Sequence, residues 1–536
     1  MSVKISMHHR FIDMYRKISW TTWALAGIFV AGVFVRTVHF HDWLRFNADQ
    51  SRDAGIVSDV IEGKASAPLL GPKAGGTEFR LGSAFYIFQI ASASIFGDRP
   101  DVMAYPDLLT SILAIPLLYL FLRLYFERRT ALALTAIFAV SLYAVKYSRF
   151  AWNPNSLPFW TLLFFLALHR LTLLAGKTEK FWGVLLGFAL GIGVQLHTLT
   201  LIILPMMTVG VFGYLAYFRR QGIGKVFLIV SAVAIVLNIG QITSEFRTGG
   251  ENISAFFSGV GKKQEKGSGL MRNVMQDTTC FIEGTAYIVT SHDISDTCSS
   301  KSLGRNVDGI VFAMGAVLFF GGMLLAFRML RREQECSRRY FLALNISFLA
   351  LSFLLLIPLA NEVSMRFFLM IVFLPFVLLG LWFEFFQEKF PKQADVFMIC
   401  AVVALVLLNG YAVQRSFSEY ASFLDEHSTA GMDNVLLREV EEAADFIVFH
   451  AEGKSTVSLR GDSKYLFKAL KSIRYFTEKQ GIDVVQAGKG KGDANLPEFL
   501  VENTKRNKKT LEENPGMVDW KVIGRFTIFR VPHSAQ

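Results

Sequence analysis

Charged residues are scarce in this sequence. Asp, Glu, Lys and Arg make up only 18% of its 536 residues, whereas 52% are hydrophobic and 50 are Phe. Soluble proteins carry about a quarter charged residues, so the composition excludes a soluble enzyme and a disordered or collagen-like chain. With four cysteines, the sequence is not a disulfide-rich secreted miniprotein either. The composition therefore predicts a polytopic membrane protein.

Several signatures of other functions are also missing. The sequence has no Gly-rich phosphate-binding loop, no Gly-x-Ser-x-Gly motif and no Cys/His spacing typical of a metal site. No basic run is interleaved with aromatic residues, as single-stranded nucleic acid requires, so we do not expect a nucleic-acid partner. The excess of 55 Lys and Arg over 44 Asp and Glu is instead a signal of membrane topology.

Long apolar stretches give a first topology. Besides the eleven stretches given at the end of this paragraph, a twelfth stretch, 81–96, is short and contains Ser, Gly and Gln. If it crossed the membrane, the first cluster of Lys and Arg, at residues 4–17, would lie on the opposite side of the membrane from the five later clusters. Basic clusters collect on the cytoplasmic side, so 81–96 is predicted to be a re-entrant or interfacial helix. We expect a retained N-terminal anchor, a cytoplasmic N-terminus and an outward C-terminus. The eleven predicted crossings lie near 19–39, 105–125, 131–147, 156–175, 182–196, 198–217, 225–242, 308–330, 341–359, 366–386 and 395–415.

The sequence is predicted to form two domains, because its character changes after residue 415. Residues 1–415 form the membrane domain, with outward loops at 40–104 and 243–307. Residues 416–536 are polar and alternate helical with strand-like patterns, which is typical of a small α/β domain. The helical patterns lie at 434–450 and 463–479, and the strand-like ones at Thr456–Arg460, Ile482–Val485 and Trp520–Val531. Its role is open between acceptor binding and covering a cavity. From sequence alone, deletion of 420–536 is expected to spare donor binding and impair acceptor use.

The first outward loop contains the densest polar motif near a predicted membrane surface. It reads Asn47-Ala48-Asp49-Gln50-Ser51-Arg52-Asp53-Ala54, a few residues after the first span. Asp49 and Asp53 share one face if this piece is helical. A carboxylate at this depth acts as a general base or holds a divalent cation. A polar cap on an interfacial helix is the alternative explanation of the same pattern.

Other polar residues lie at the outward ends of the predicted spans. Arg149 is a fork-shaped donor suited to phosphate, although Trp and Tyr around it are also usual at membrane interfaces. His197 lies with Gln195 at a break between two spans, as a turn residue or as a contact to a sugar or phosphate. Arg366 opens the tenth span, where it either anchors the interface by snorkelling or neutralises a lipid-linked phosphate.

Two cysteines, Cys280 and Cys298, fall in the predicted outward loop 243–307, where a disulfide can persist. We therefore hypothesise that they pair. A thiol count on the unreduced protein is expected to miss both cysteines, and finding both as free thiols would contradict the pairing.

The order of these outward motifs resembles the GT-C glycosyltransferases, a group that includes protein O-mannosyltransferases and the lipid A aminoarabinose transferases. More narrowly, the chain resembles bacterial relatives of the glycosyltransferase family 39 type. The resemblance covers the whole chain, including the outward tail. It rests on Asn47–Ala54, Gly71-Pro72-Lys73, Tyr147-Ser148-Arg149 with Trp152-Asn153-Pro154-Asn155, Gln195-Leu196-His197, and Arg366-Phe367-Phe368 followed by Leu374-Pro375.

The resemblance implies a fold and an activity. The fold is an all-α membrane domain of about eleven transmembrane helices, with interfacial or re-entrant helices in the first outer loop and a small extracytoplasmic α/β domain. The implied activity is transfer of a sugar from a polyprenyl-phosphate donor to a glycan, lipid or protein acceptor. This would take place among membrane lipids at the outer face of the inner (cytoplasmic) membrane, with inversion at the anomeric carbon.

The resemblance also assigns residues. Asp49 is the expected catalytic base. Many relatives have Asp-Glu where this chain has Asp49-Gln50, and an acid near the place of Asn153 and Asn155, so a tightly held metal is disfavoured. No cofactor is therefore certain, and a divalent metal bound by Asp49 stays open. The expected substrate-binding residues are Gln50, Arg52, Asp53, Lys73, Arg149, Trp152, Asn153, Asn155, Gln195, His197, Glu362 and Arg366.

A membrane transporter or a flippase of envelope glycan precursors is the alternative function. Transporters place charged groups near the bilayer midplane, often in broken helices and with internal repeats. Here the predicted spans are nearly free of charge and the polar groups lie at one face. This distribution favours chemistry at the membrane surface over passage through it. A scaffold that uses the outward tail is a third interpretation, and it would not require Asp49.

Overall fold

The computed structural model describes residues 19–173, 178–218, 222–265, 269–292, 309–425, 434–461, 463–486, 496–513, 516–517 and 519–531. Its membrane domain is built from helices, since a helix satisfies all its backbone hydrogen bonds internally, as a lipid environment demands. The described helices of this domain that are longer than eight residues are Trp20–Thr37, Ala48–Ile61, Ala84–Phe96, Tyr105–Leu122, Arg128–Val140, Leu157–Leu173, Thr178–Leu196, Thr198–Tyr217, Ile223–Leu237, Ile239–Thr248, Glu251–Glu265, Leu270–Thr290, Gly322–Arg332, Cys336–Leu356, Leu374–Lys389 and Ala394–Phe423.

Each of the eleven predicted stretches is helical. Among the described residues, seven helices are long and apolar enough to cross a membrane, and two bent pairs raise that number to nine. The other two predicted spans correspond to the shorter helices Leu157–Leu173 and Arg128–Val140, the latter continued by Leu142–Lys146. The number of crossings and their orientation stay predictions.

The two bent pairs have local causes. Met365–Ile371 and Leu374–Lys389 meet at 59°, and Pro375 at the start of the second helix lacks the N–H group that would continue the first. Ile223–Leu237 and Ile239–Thr248 meet at 63° around Asn238, whose side-chain amide donates to the carbonyl of Gly191 at 3.0 Å. The first bend sets Arg366 at the predicted outward end of its span.

The predicted first outward loop is folded into regular elements. It contains the helix Ala48–Ile61, hereafter the acidic helix, and a two-stranded antiparallel hairpin of β1 (Leu70–Lys73) and β2 (Arg80–Gly82). The short apolar helix Ala84–Phe96 follows, as expected for the 81–96 stretch. The side-chain amide of Asn252 fastens the hairpin to the helix Glu251–Glu265 by bonding the N–H and the carbonyl of Arg80 at 2.7 and 3.0 Å.

The C-terminal part has a separate apolar core and a five-stranded sheet. Its elements are the helices Leu437–Phe449 and Ser463–Lys479, and the strands Thr456–Gly461 (β3), Asp483–Gln486 (β4), Glu498–Asn503 (β5), Asp519–Ile523 (β6) and Phe526–Val531 (β7). The strand order is β4-β3-β5-β7-β6, in which β3 pairs in parallel with β4 and β5, and β7 pairs antiparallel with β5 and β6. These bounds match the sequence patterns, except that β5 was not predicted.

This C-terminal domain packs directly on the segment that leads into the acidic helix. Backbone bonds join Phe46 N–H to the carbonyl of Val435 and Leu437 N–H to the carbonyl of Leu44, both at 2.8 Å. The ring of Tyr475, on the helix Ser463–Lys479, lies 5.5 Å from that of Phe46. The domain therefore contacts both this segment and the acidic helix, where the hydroxyl groups of Tyr475 and Ser58 are 3.1 Å apart. The predicted boundary at residues 415 and 416 stays a prediction, since the helix Ala394–Phe423 runs through it.

Candidate active site

A cavity of about 500 Å³ opens where the predicted outward segments meet. Its wall is formed by the start of the acidic helix, the hairpin turn, the segment after Phe150, the start of the helix Thr198–Tyr217, the helix Glu251–Glu265 and the residues around Arg366. These pieces are far apart in the sequence, and the fold brings them together. Seven of the predicted site residues line the cavity: Asp49, Arg52, Lys73, Trp152, Asn153, His197 and Arg366.

The acidic helix places a carboxylate at the cavity surface. The Gln50 side chain accepts a hydrogen bond from the Asn47 N–H at 3.2 Å, which caps the helix start. Asp49 is then in the first turn with its side chain 60% exposed, where the positive end of the helix dipole stabilises an anion. Arg52 donates from Nη1 to Asp49 Oδ1 at 2.9 Å. The predicted base is therefore accessible and has a cationic partner.

Asp53 lies one turn further along and faces inward. Its side chain is only 2% exposed, and its Oδ1 accepts hydrogen bonds from Arg52 Nε at 2.9 Å and from the Tyr86 hydroxyl at 2.8 Å. Burial raises the pKa of Asp53 to about 6, although Arg52 and Tyr86 act in the opposite direction. Asp49 and Asp53 are thus joined through Arg52, but only Asp49 reaches the cavity.

Arg366 provides a second cation at the cavity wall. Its guanidinium lies 5.7 Å from the ring centre of Trp152 and 5.4 Å from that of Phe367, within cation–π range. A Cβ atom placed on Gly75 would come within 3.0 Å of Arg366 Nη2, so the hairpin turn approaches closely. The aromatic faces hold the guanidinium at the cavity wall, where its charge and planar shape suit an anionic ligand.

The hairpin adds one cation and one acid. Lys73 forms an ion pair with Glu78 across the turn, and both side chains line the cavity. Glu78 was not predicted as a site residue, because a single acid in a Gly-rich loop carries no spacing signal. Tyr86 and Asp107 were not predicted either, and the carboxylate of Asp107 accepts a hydrogen bond from the Trp152 N–H at 3.0 Å. These two residues support the cavity wall from behind.

Several predicted substrate contacts are engaged elsewhere. Arg149 is buried and donates to the carbonyls of Arg36 and Val38 at 2.9 and 2.7 Å, which caps the end of the helix Trp20–Thr37. Gln195 donates to the carbonyls of Gly191 and Leu237 and accepts from Ala84 N–H. Both side chains fasten the scaffold, and neither lines the cavity.

The remaining predicted contacts divide in the same way. Asn155 donates to the carbonyl of Phe150, Gln50 donates to that of Ala151, and Glu362 is exposed outside the cavity wall. Asn153 lines the cavity while its amide donates to the carbonyl of Leu196 at 2.8 Å. His197 lines it as the cap of the following helix, with Nδ1 accepting from the Leu199 N–H. Substrate contact stays a prediction for all of these residues.

Two further hypotheses concern a divalent metal bound by Asp49 and a disulfide between Cys280 and Cys298. Within the described part of the chain, no group of three or more His, Cys, Asp or Glu side chains is arranged to hold a metal ion. Asp49 is paired with Arg52, which competes with a cation for the same oxygen. Cys280 is buried in the helix Leu270–Thr290, whereas Cys298 lies outside the described residues, so their pairing stays a prediction.

Comparison with known proteins identifies this architecture. Residues 83–241 match the profile of the family described as dolichyl-phosphate-mannose-protein mannosyltransferase. No curated protein sequence matches the chain. The matched part runs from the helix after the hairpin to the helix Ile239–Thr248. It therefore includes the cavity-lining residues Trp152, Asn153 and His197 but not Asp49 or Arg366.

Solved structures extend the similarity to nearly the whole chain. The archaeal oligosaccharyltransferase AglB from Archaeoglobus fulgidus, in complex with an inhibitory peptide and a dolichol-phosphate, has a TM-score of 0.54 at 14% identity, covering 96% of this chain and 74% of AglB. Apo ArnT from Cupriavidus metallidurans has a TM-score of 0.54 at 10% identity, covering 96% of this chain and 98% of ArnT. ArnT bound to undecaprenyl phosphate gives 0.53. The predicted resemblance and fold class are thus confirmed, and the chain has the fold of the GT-C superfamily of membrane glycosyltransferases.

Proposed function

We propose that this protein transfers a sugar from a polyprenyl-phosphate donor to a hydroxyl of an acceptor on the outer face of the inner membrane. The observation that carries the proposal is the shared cavity, which joins Asp49 with the cations Arg52, Lys73 and Arg366. A polyprenyl chain is insoluble in water, so its sugar-phosphate end must be processed at the membrane surface. The lipids bound by the structural neighbours, dolichol-phosphate and undecaprenyl phosphate, support this class of donor.

In the proposed reaction, Asp49 takes the proton of the acceptor hydroxyl as its oxygen attacks the anomeric carbon. The bond between that carbon and the phosphate oxygen breaks, and the polyprenyl phosphate leaves with the electron pair. Arg366 neutralises the negative charge that develops on this leaving group, which lowers the energy of the transition state. Direct displacement inverts the configuration at the anomeric carbon. The donor's own phosphodiester provides the driving force, so no nucleotide is needed at this face.

The donor site is tested by replacing Arg366 with Gln. We expect the affinity for undecaprenyl phosphate in detergent micelles to fall by roughly 10- to 100-fold, as for the loss of a charge-assisted contact. Arg366→Lys should retain part of the affinity, because it keeps the charge but not the planar fork. The matched control is Arg438→Gln, which changes a half-exposed arginine of the C-terminal domain that pairs with Glu442. Equal affinities of wild-type protein and Arg366→Gln would contradict the assignment.

The activity itself is tested by comparing envelope glycans of cells with and without the protein by mass spectrometry. A sugar missing without the protein, and restored by the wild-type chain, is the expected result. It would also identify the sugar and the class of acceptor. An unchanged glycan profile, together with protein-dependent movement of a lipid-linked sugar across vesicles, would replace the transferase proposal by the flippase alternative.

A further inference from the structure

Asp53 lies close to the proposed base but behind the cavity wall. Its buried carboxylate has a single charged contact, Arg52, and within the described residues no group donates a hydrogen bond to its Oδ2. Burying a carboxylate with so few partners is unfavourable for stability. A nearby functional role would account for a buried carboxylate one helical turn from Asp49.

The contacts form a short chain from the protein interior to the cavity. The Tyr86 hydroxyl donates to Asp53 Oδ1 at 2.8 Å, and the same oxygen accepts from Nε of Arg52 at 2.9 Å. On the other edge of the guanidinium, Nη1 donates to Asp49 Oδ1 at 2.9 Å. Arg52 is 45% exposed and lines the cavity, so its contacts with Asp49 and Asp53 hold a side chain that borders solvent.

We propose, building on the transferase function above, that Asp53 and Tyr86 are positioning residues that hold Arg52 as the shared charge partner of Asp49. The charged and titratable groups that face Asp53 are Arg52 and Asp49 from its own helix and Tyr86 from the helix Ala84–Phe96. Neither Asp53 nor Tyr86 lines the cavity, so neither touches the substrate. Both act through Arg52.

The charge of Asp53 governs how firmly Arg52 is held beside Asp49. While Asp53 is ionised, its ion pair with Arg52 keeps the guanidinium in contact with both carboxylates. When Asp53 is neutral, that ion pair is lost and Arg52 is no longer held beside Asp49. The raised pKa of Asp53, about 6, brings this change into an accessible range. We therefore expect transfer to slow as the pH falls through about 6.

The variant Asp53→Asn keeps the shape and removes the charge. We expect its kcat at neutral pH to be roughly 10- to 100-fold lower, as for a misplaced catalytic group. The decrease of kcat as the pH falls through about 6, hereafter the acidic limb of the pH profile, should be absent from this variant. Affinity for undecaprenyl phosphate should stay within about twofold, because Arg366 is untouched. Tyr86→Phe should lower kcat by a smaller factor and shift the limb without abolishing it.

A matched control is Ser58→Ala on the same helix. Its hydroxyl is also buried and bonds Asp98 and Tyr475 at 2.8 and 3.1 Å, but it makes no contact with Arg52. A change that acts only through helix packing would affect both variants alike. We expect Ser58→Ala to keep the acidic limb of the wild-type profile. If it loses the limb as Asp53→Asn does, the effect is structural and the proposal is wrong.

A measurement that does not depend on activity tests the same contacts. Phenylglyoxal labels arginines that are not held by carboxylates, and peptide mass spectrometry resolves each site. At mildly alkaline pH, we expect Arg52 to be labelled several-fold faster in Asp53→Asn than in the wild-type protein, while Arg438 is labelled equally in both. Unchanged labelling of Arg52 would overturn the positioning role. Lack of sugar transfer by the wild-type protein, with faster labelling of Arg52, would instead refute only the proposed function.

Discussion

Asp49→Asn is expected to reduce sugar transfer by about 10³-fold, within the range by which a positioned general base accelerates a reaction. Asparagine keeps the size and the first-turn position of the side chain but cannot accept the proton of the acceptor hydroxyl. Donor affinity should be nearly unchanged, because the proposed phosphate contact is Arg366. Single-turnover transfer from a purified lipid-linked sugar, with affinity measured separately, checks both expectations.

The control for this prediction is Asp59→Asn, the same substitution on the same helix. Asp59 is exposed and lies outside the cavity lining, so its variant should retain full transfer. Full activity of Asp49→Asn would remove the general-base mechanism. The protein would then be a candidate for the transporter or scaffold functions, the two alternatives that the sequence allows.

The second large effect concerns the attachment of the C-terminal domain. Phe46 is 1% exposed and lies three residues before Asp49, between Tyr475 and Phe476 with ring centres 5.5 and 5.7 Å away. Phe46→Ala is expected to destabilise this junction by about 3–5 kcal/mol, as for other buried aromatic residues cut back to alanine. Thermal unfolding in detergent measures the loss of stability, and transfer assays should show a loss of activity with it.

The control is Phe449→Ala, on the helix Leu437–Phe449. Phe449 is 82% exposed, so its removal creates no cavity and should leave both stability and transfer unchanged. If Phe46→Ala loses stability but keeps normal kcat and donor affinity, the domain does not position the acidic helix.

These contacts also revise the expectation for removal of residues 420–536. The sequence suggested that donor binding would survive, because a polar tail after the last span looks separable. The structure instead shows Val435 and Ser472 bonded to Asn47 and Phe46 at 2.9 and 2.7 Å, beside the acidic helix. Lys479 adds an ion pair to Asp98 at 2.6 Å. We now expect the deletion to impair the whole site, since the acidic helix loses one of the surfaces that hold it.

Much of the fold was predictable because its signals are local. The length of an apolar run and the sign of the charges beside it are read within one segment, so all eleven stretches were located. The alternating run Thr456–Arg460 and the helical pattern 463–479 predicted β3 and its crossover helix for the same reason. The strand β5, Glu498–Asn503, was missed because its apolar residues, Phe499-Leu500-Val501, form a run of only three between polar residues.

Which polar residues form the site was only partly predictable. Arg149 and Arg366 look alike in the sequence, since each is an arginine beside aromatic residues at an outward end of a span. In the structure, Arg149 turns inward to cap a helix, and Arg366 faces the cavity. The difference depends on free carbonyl groups supplied by residues 36 and 38, more than one hundred positions away.

By itself, the sequence determined that the chain lies in a membrane, that its polar chemistry gathers at one end of the spans, and that Asp49 is a candidate base. These properties follow from composition and from order along the chain. Only the tertiary structure decided that Asp49, Lys73 and Arg366 share one cavity while Asp53, Gln195 and Arg149 support it from outside. Side-chain direction is decided by packing between distant segments, and that information is not present within any one of them.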